Sequence, residues 1–180
     1  GRLRGSPVTD AELNASIAVY NDNRAAIRDL YTYRAAKPWQ APTSEVYLVL
    51  RAGMVLPVEE HTALVREYLD AAEGLQRTKR DNARVVLTGS FCEQPPLALI
   101  KSIEMSGCYI VDDDFILVTR WLLDDVPADG DPLLELSKAF LHRSASTAAK
   151  YDVTRKEKGV FLMKQVKTRG AEGVVFAAPS

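Results

Sequence analysis

Ser90, Cys92 and Glu93 share one short turn, and the acidic run Asp112-Asp113-Asp114 follows with Arg120 shortly beyond it. A thiol beside a helix N-terminus has its pKa lowered, so Cys92 could serve as a nucleophile or a ligand. The free N–H groups and partial positive charge of that helix end favour an anion or thiolate. The three aspartates admit three chemistries: a magnesium site built from hard oxygen ligands, an orienting group paired with Arg120, or a solvated loop that caps the next helix. No histidine is placed to activate Ser90, and no G-x-S-x-G surrounds it, which argues against serine hydrolysis.

The elements that must position these residues are a strand, a turn, a helix and a second strand. Arg84 to Leu87 is a β-branched and apolar run of the kind found in a parallel strand buried on both faces, and Thr88-Gly89-Ser90 breaks it. Pro95-Pro96 suits the first turn of a helix whose inner face is Leu99, Ile100 and Ile103, and Gly107 suits a left-handed stop. Cys108 to Val111 is the next strand and empties into the aspartates. Cys108 itself is expected to be a small buried strand residue. Ligands of open α/β sheets bind outside the carboxyl ends of the strands, so Ser90, Cys92, Glu93 and the three aspartates Asp112, Asp113 and Asp114 should crowd one rim, with Arg120 a further candidate there. A last strand, 173–178, leads to Ser180 at the same rim.

Ahead of this unit, Thr9-Asp10-Ala11-Glu12 forms a capping box, and a long helix follows with Leu13, Ile17, Tyr20, Ile27 and Tyr31 on its inner stripe. Arg24 lies within that stripe, with its stem expected on apolar surface and its head in water. Lys37-Pro38 ends the helix. Glu45 to Leu50, EVYLVL, is expected to be the first strand, with Arg51 to Met54 as its rim loop. Pro57 opens a helix that carries His61 in its first turn, facing the same rim; a general acid or base is open to it there, but a partly exposed histidine with no identifiable partner is more often structural. The charged run 76–81 is expected to be solvated. Further helices are expected over 116–123, from Asp131-Pro132 to His142, and over 154–169, the last stopped by Gly170. Strands at 45–50, 84–88, 108–112 and 173–178 alternate with helices. The expected fold is therefore α/β, a Rossmann-like or flavodoxin-like parallel sheet with helices on both faces. A helical arm and linker, 1–43, precedes the α/β domain, 44–180.

The chain has 180 residues, and 23 Lys plus Arg against 24 Asp plus Glu leave a net charge of −1. That balance supplies no field to attract nucleic acid or anionic lipid. No apolar run approaches the ~20 residues that span a bilayer, and no secretory signal opens the chain, so a cytoplasmic location is expected. Neither G-x-G-x-x-G nor G-x-x-x-x-G-K-[ST] is present, which removes the usual nicotinamide and P-loop readings. Two cysteines without paired short spacing do not make a zinc site or a ferredoxin-type cluster. The opening without an initiator Met and the terminal strand ending at its own rim lead to the expectation that this is a segment of a longer polypeptide.

Gly89-Ser90-Phe91-Cys92-Glu93-Gln94-Pro95-Pro96, Ser106 to Phe115 (SGCYIVDDDF) and the terminal Phe176-Ala177-Ala178-Pro179-Ser180 carry a resemblance. The sequence resembles the benzoyl-CoA reductase and 2-hydroxyglutaryl-CoA (2-hydroxyacyl-CoA) dehydratase family over nearly its whole length. It is most similar there to the substrate-binding, non-ATPase subunits of the ATP-dependent reductase. Softer matches are Asn23-Arg24, Glu45 to Met54 and Glu59-Glu60-His61. The resemblance implies an oxygen-sensitive enzyme of anaerobic aromatic degradation that reduces an aromatic acyl-CoA to a cyclic dienoyl-CoA. Its implied partners are ATPase subunits, a homologous substrate-binding subunit and ferredoxin as electron donor. The implied cofactor is a [4Fe-4S] cluster held by cysteines from separate lobes, mostly outside this segment, with Cys92 lining the pocket or assisting. Phe115-Ile116-Leu117 stands where dehydratase relatives often carry a further cysteine, which favours the reductase branch. Alone, the segment is expected to be inactive and to hold no stable cluster. The alternatives are a 2-hydroxyacyl-CoA dehydratase subunit and a non-catalytic subunit-interaction domain.

Overall fold

A computed structural model describes residues 5–89, 95–115, 124–140 and 159–177. Ser90, Cys92, Glu93, Arg120, His142 and Ser180 lie outside them, as do the expected helix at 116–123 and the start of the one at 154–169. The capping box forms: Thr9 Oγ1 accepts from Glu12 N (3.3 Å), and the Glu12 carboxylate accepts from Thr9 N (2.9 Å). Helix α1 then runs from Asp10 to Ala36 and ends as Lys37 N bonds Tyr33 O, just before Pro38. Its inner face is Ile17, Ala26, Ile27, Leu30, Tyr31 and Ala35. Tyr20, expected on that face, is half exposed. Arg24 departs from expectation the other way. Only 14% of its side chain is exposed, because its guanidinium turns back to Asn21 and lies 3.9 Å from Asp125.

The EVYLVL segment is not a strand. It lies within helix α2, Thr43–Ala52. A short apolar run is compatible with either a strand or a buried helix, and here two tertiary facts select the helix. Val46 and Leu50, four residues apart, join one core with α1 and helix α3 (Val58–Gly74), while Tyr47 enters a second core against the sheet. In a strand, Leu48 would share a face with Val46 and Leu50, yet it is half exposed. The N-terminal N–H groups find a partner far along the chain. The Glu104 carboxylate accepts from Thr43 N (2.6 Å) and Ser44 N (3.4 Å), supplying the cap that Pro42 cannot.

The sheet contains strands β1 (Ala83–Thr88), β2 (Cys108–Asp113) and β3 (Gly173–Phe176), all parallel, in the order β2-β1-β3. Helix α4 (Leu97–Met105) connects β1 to β2, helix α5 (Pro132–Lys138) packs on α1, and helix α6 (Val160–Arg169) leads to β3. Gly107 (φ +88°) and Gly170 (φ +57°) make the left-handed stops after α4 and α6, as anticipated. Val85, Leu87, Ile100, Ile110 and Phe115 form the core between sheet and helices, each buried aliphatic contributing about 1.5–3 kcal/mol. The fold is thus parallel α/β preceded by a long N-terminal helix. Arg84, at the start of β1, donates to Ala35 O (2.7 Å), Arg169 O (2.7 Å) and Gly170 O (3.1 Å). One guanidinium thereby satisfies the carboxyl ends of α1 and α6. The run 76–81 is exposed apart from Arg77, whose guanidinium forks onto Glu45 (2.7 and 3.0 Å) and ties the loop to α2.

Candidate functional site

The acidic corner is shaped by an irregularity in β2. Val85 opposes Ile110 but Val86 opposes Asp112, so Val111 is an extra residue in the ladder. The bulge turns the strand end and allows consecutive aspartates to reach the same cation. Asp112 Oδ2 accepts from Arg169 Nε (2.8 Å), and its Oδ1 lies 3.9 Å from Arg34 Nη2. Asp113 Oδ2 lies 2.7 Å from Arg34 Nη1, and its Oδ1 accepts from the Tyr31 hydroxyl and Phe115 N, both at 3.0 Å. Gln165 Nε2 donates to Asp113 O (3.1 Å). Asp114 faces the other way: Thr88 Oγ1 donates to its Oδ2 (2.8 Å) and Gly89 N to its Oδ1 (3.3 Å).

These three residues are at most 3% exposed, so the solvated-loop reading is overturned. The hydrophobic surroundings of β2 bring the carboxylates inside, where each must find donors. Two of them neutralise the buried Arg34 of α1 and the partly buried Arg169 of α6, and the third ties the end of β2 to Thr88 and Gly89 at the end of β1. Arg120, the expected partner, lies outside the described residues, and the described cations on the corner are Arg34 and Arg169. Among the described residues, no group of three or more His, Cys, Asp or Glu side chains is arranged to hold a metal.

Burial pushes the Asp113 carboxyl above its ordinary range, Arg34 opposes that rise and Asp112 adds to it. Burial lowers the Arg34 pKa, but Asp113, Tyr31 and Asp112 more than compensate and leave it raised. Burial and the neighbouring Asp113 push the Tyr31 phenol well above its ordinary value. Arg34 is fully buried, lies 4.4 Å from the Tyr31 ring centroid and donates weakly to Thr43 Oγ1 (3.4 Å). The corner therefore holds charge in place beneath the rim. Tyr31 was expected on the inner stripe but its bond to Asp113 was not, and Arg34 was missed, although it sits three residues beyond Tyr31 on a largely apolar face, where a charge calls for a buried partner.

His61 is also corrected. It is 4% exposed, Nε2–H donates to Val49 O (3.1 Å), and Nδ1 accepts from Asn23 Nδ2 (3.0 Å). A carbonyl can only accept, which fixes this tautomer. Burial lowers the pKa of His61, and the ring acts as a brace between α1, α2 and α3. Cys108 is half-buried at the first residue of β2, opposite Ala83. Five residue steps, about 16 Å, separate it from Asp113 at the other end of the strand.

The arrangement defines a parallel α/β domain whose polar groups collect at the carboxyl ends of its strands, the edge at which such sheets bind ligands. The chain belongs to the family described as 2-hydroxyglutaryl-CoA dehydratase, D-component, whose model matches residues 1–180. It is 57% identical over 178 residues to a benzoyl-CoA reductase subunit of Thauera aromatica, covering 99% of this chain and 46% of that protein. It is 30% identical over 174 residues to lactoyl-CoA dehydratase subunit beta of Anaerotignum propionicum, covering 96% of this chain and 46% of that one. To the (R)-phenyllactyl-CoA dehydratase beta subunit of Clostridium sporogenes it is 25% identical over 175 residues, with coverage of 97% and 46%. The chain spans about half the length of the curated relatives it matches. The residues present do not by themselves fit a [4Fe-4S] cluster. Such a cluster draws on about four thiolates, the chain has two cysteines, and Cys108 stands at the far end of its strand from the rim.

Proposed function

We propose that the chain is a segment of an ATP-dependent, ferredoxin-linked benzoyl-CoA reductase subunit, taking part in reduction of benzoyl-CoA to a cyclohexadiene-carboxyl-CoA in the cytoplasm. The observation that carries this reading is the gap in similarity: 57% identity to a benzoyl-CoA reductase subunit against 25–30% to the dehydratase subunits. In the proposal, Ser90, Cys92, Glu93, Asp113, Asp114, Arg120 and Ser180 border the substrate, with Asp113 and Asp114 fixing the shape of the lip. The [4Fe-4S] cluster belongs to the complete protein, its ligands mostly outside this segment. ATP is used by partner ATPase subunits, and a homologous substrate-binding subunit completes the assembly.

The test is anaerobic assay of the complete subunit with its partners, ATP and reduced ferredoxin. Parallel reactions contain benzoyl-CoA or a 2-hydroxyacyl-CoA. Dienoyl-CoA formation from the first is expected. Elimination of water from the second, with no ring reduction, would overturn the proposal in favour of a dehydratase subunit.

A further inference from the structure

The course of α2 carries a residue to the rim that the acidic corner does not use. Thr43 Oγ1 donates to Ile110 O (2.9 Å) in the middle of β2. One turn on, the Tyr47 ring meets Phe115 edge-on, with centroids 5.9 Å apart, just past Asp114. Helix α2 thus advances toward the carboxyl-terminal edge of the sheet. Arg51, one further turn and about 6 Å along, stands beyond that lip. Its side chain is exposed but held: Nη1 donates to the buried Tyr47 hydroxyl (2.8 Å), and the guanidinium carbon lies 5.9 Å from the Tyr47 ring centroid.

Among the described residues, the partners of Arg51 are the neutral hydroxyl and ring of Tyr47, and no carboxylate pairs with its guanidinium. The other described arginines, Arg24 and Arg80 apart, place their guanidinium on a carboxylate or on backbone carbonyls, as Arg66 does on Asp22, Arg77 on Glu45 and Arg84 at two helix ends. Beside Arg51, the turn after α2 presents Met54 and Val55, 70% and 83% exposed. A fixed planar cation next to exposed apolar side chains suits a ligand that joins a phosphate to apolar groups.

We propose that Arg51 binds a phosphate of the coenzyme A moiety at the rim, with Met54 and Val55 covering the apolar part of the same ligand. The ligand class rests on the reading above, while the anion site rests on the geometry alone. Tyr47 is the positioning residue: it holds the guanidinium fork and leaves its remaining N–H groups to the ligand.

Equilibrium dialysis of the complete protein in its subunit complex tests this with coenzyme A, 3′-dephospho-coenzyme A and phosphate-free pantetheine. Arg51→Gln should weaken coenzyme A about tenfold, the size of one charge-assisted hydrogen bond at a partly exposed site, and leave pantetheine unchanged. Arg51→Lys should recover part of the loss. If the 3′-dephospho form is also weakened, the contact is to the pyrophosphate; if it is unaffected, the contact is to the 3′-phosphate. Unchanged coenzyme A binding in Arg51→Gln overturns the proposal, as does an equal loss for pantetheine, which would mark a structural effect. If the complex does not reduce benzoyl-CoA yet Arg51→Gln loses coenzyme A, the proposed reaction falls and the anion site stands. Ring reduction with unaltered coenzyme A affinity in the variant means the reverse: the reaction stands and the anion site falls.

Discussion

Replacing Arg34 with Met removes the cation 2.7 Å from Asp113 while keeping an apolar stem of similar reach. Asp113 would retain the Tyr31 hydroxyl and Phe115 N, both neutral donors at 3.0 Å, and its surroundings are fully buried. Breaking a buried pair on one side costs about 3–5 kcal/mol, a large part of the ~5–15 kcal/mol that holds a domain together. The expected cost lies toward the lower end, because a stranded carboxyl can take up a proton. Asp113 already has a pKa above its ordinary value in the folded chain, and losing Arg34 raises it further. A carboxyl whose folded pKa exceeds its unfolded one contributes stability below the unfolded pKa and loses it as pH rises through the folded pKa. The variant's deficit should therefore be larger at pH 8 than at pH 5. Urea unfolding followed by circular dichroism at both values measures it. Adding Asp113→Asn removes the stranded charge and should return about 2 kcal/mol at pH 8, a large share of the one-sided cost. A single-variant cost below about 1 kcal/mol, or a double variant no more stable than the single, would refute the reasoning.

Gly53→Ala should destabilise by about 1–3 kcal/mol through overpacking, since an added Cβ would lie 2.7 Å from His61 Cε1 and the ring is bonded at both nitrogens; an unchanged thermal midpoint contradicts this. Glu104→Ala removes the remote cap of α2 and should cost about 0.5–2 kcal/mol, with faster amide exchange at Thr43 and Ser44 than elsewhere in the helix. Burial lowers the His61 pKa below its ordinary 6.5, so its contribution to stability is complete above that value and is lost as pH falls through the lowered one. The ring-carbon NMR signal of His61 should accordingly titrate below 6.5, and a midpoint at or above that ordinary value would show that the ring is not held neutral by its site.

Much of the fold was legible because it is written locally. The capping box at Thr9, the glycine stops at 107 and 170 and the β-branched run at 84–87 each act within a few residues, where side-chain type and backbone conformation are directly coupled. The segment 45–50 was misjudged because its apolar composition satisfies two periods at once. The acidic run was visible as a cluster of charge, but its burial was not, since the cation that receives Asp113 lies on α1, far earlier in the chain.

By itself, then, the sequence determined the parallel α/β rhythm, the location of the acidic corner at a strand end and the family to which the chain belongs. Tertiary structure alone decided that EVYLVL is helical, through a carboxylate on α4 and cores on two sides. It also decided that Asp112 and Asp113 face Arg34 and Arg169 rather than water. The reason is physical: hydrophobic period and turn chemistry are properties of neighbouring residues, whereas caps and charge pairs made across the fold exist only once packing has brought distant segments together.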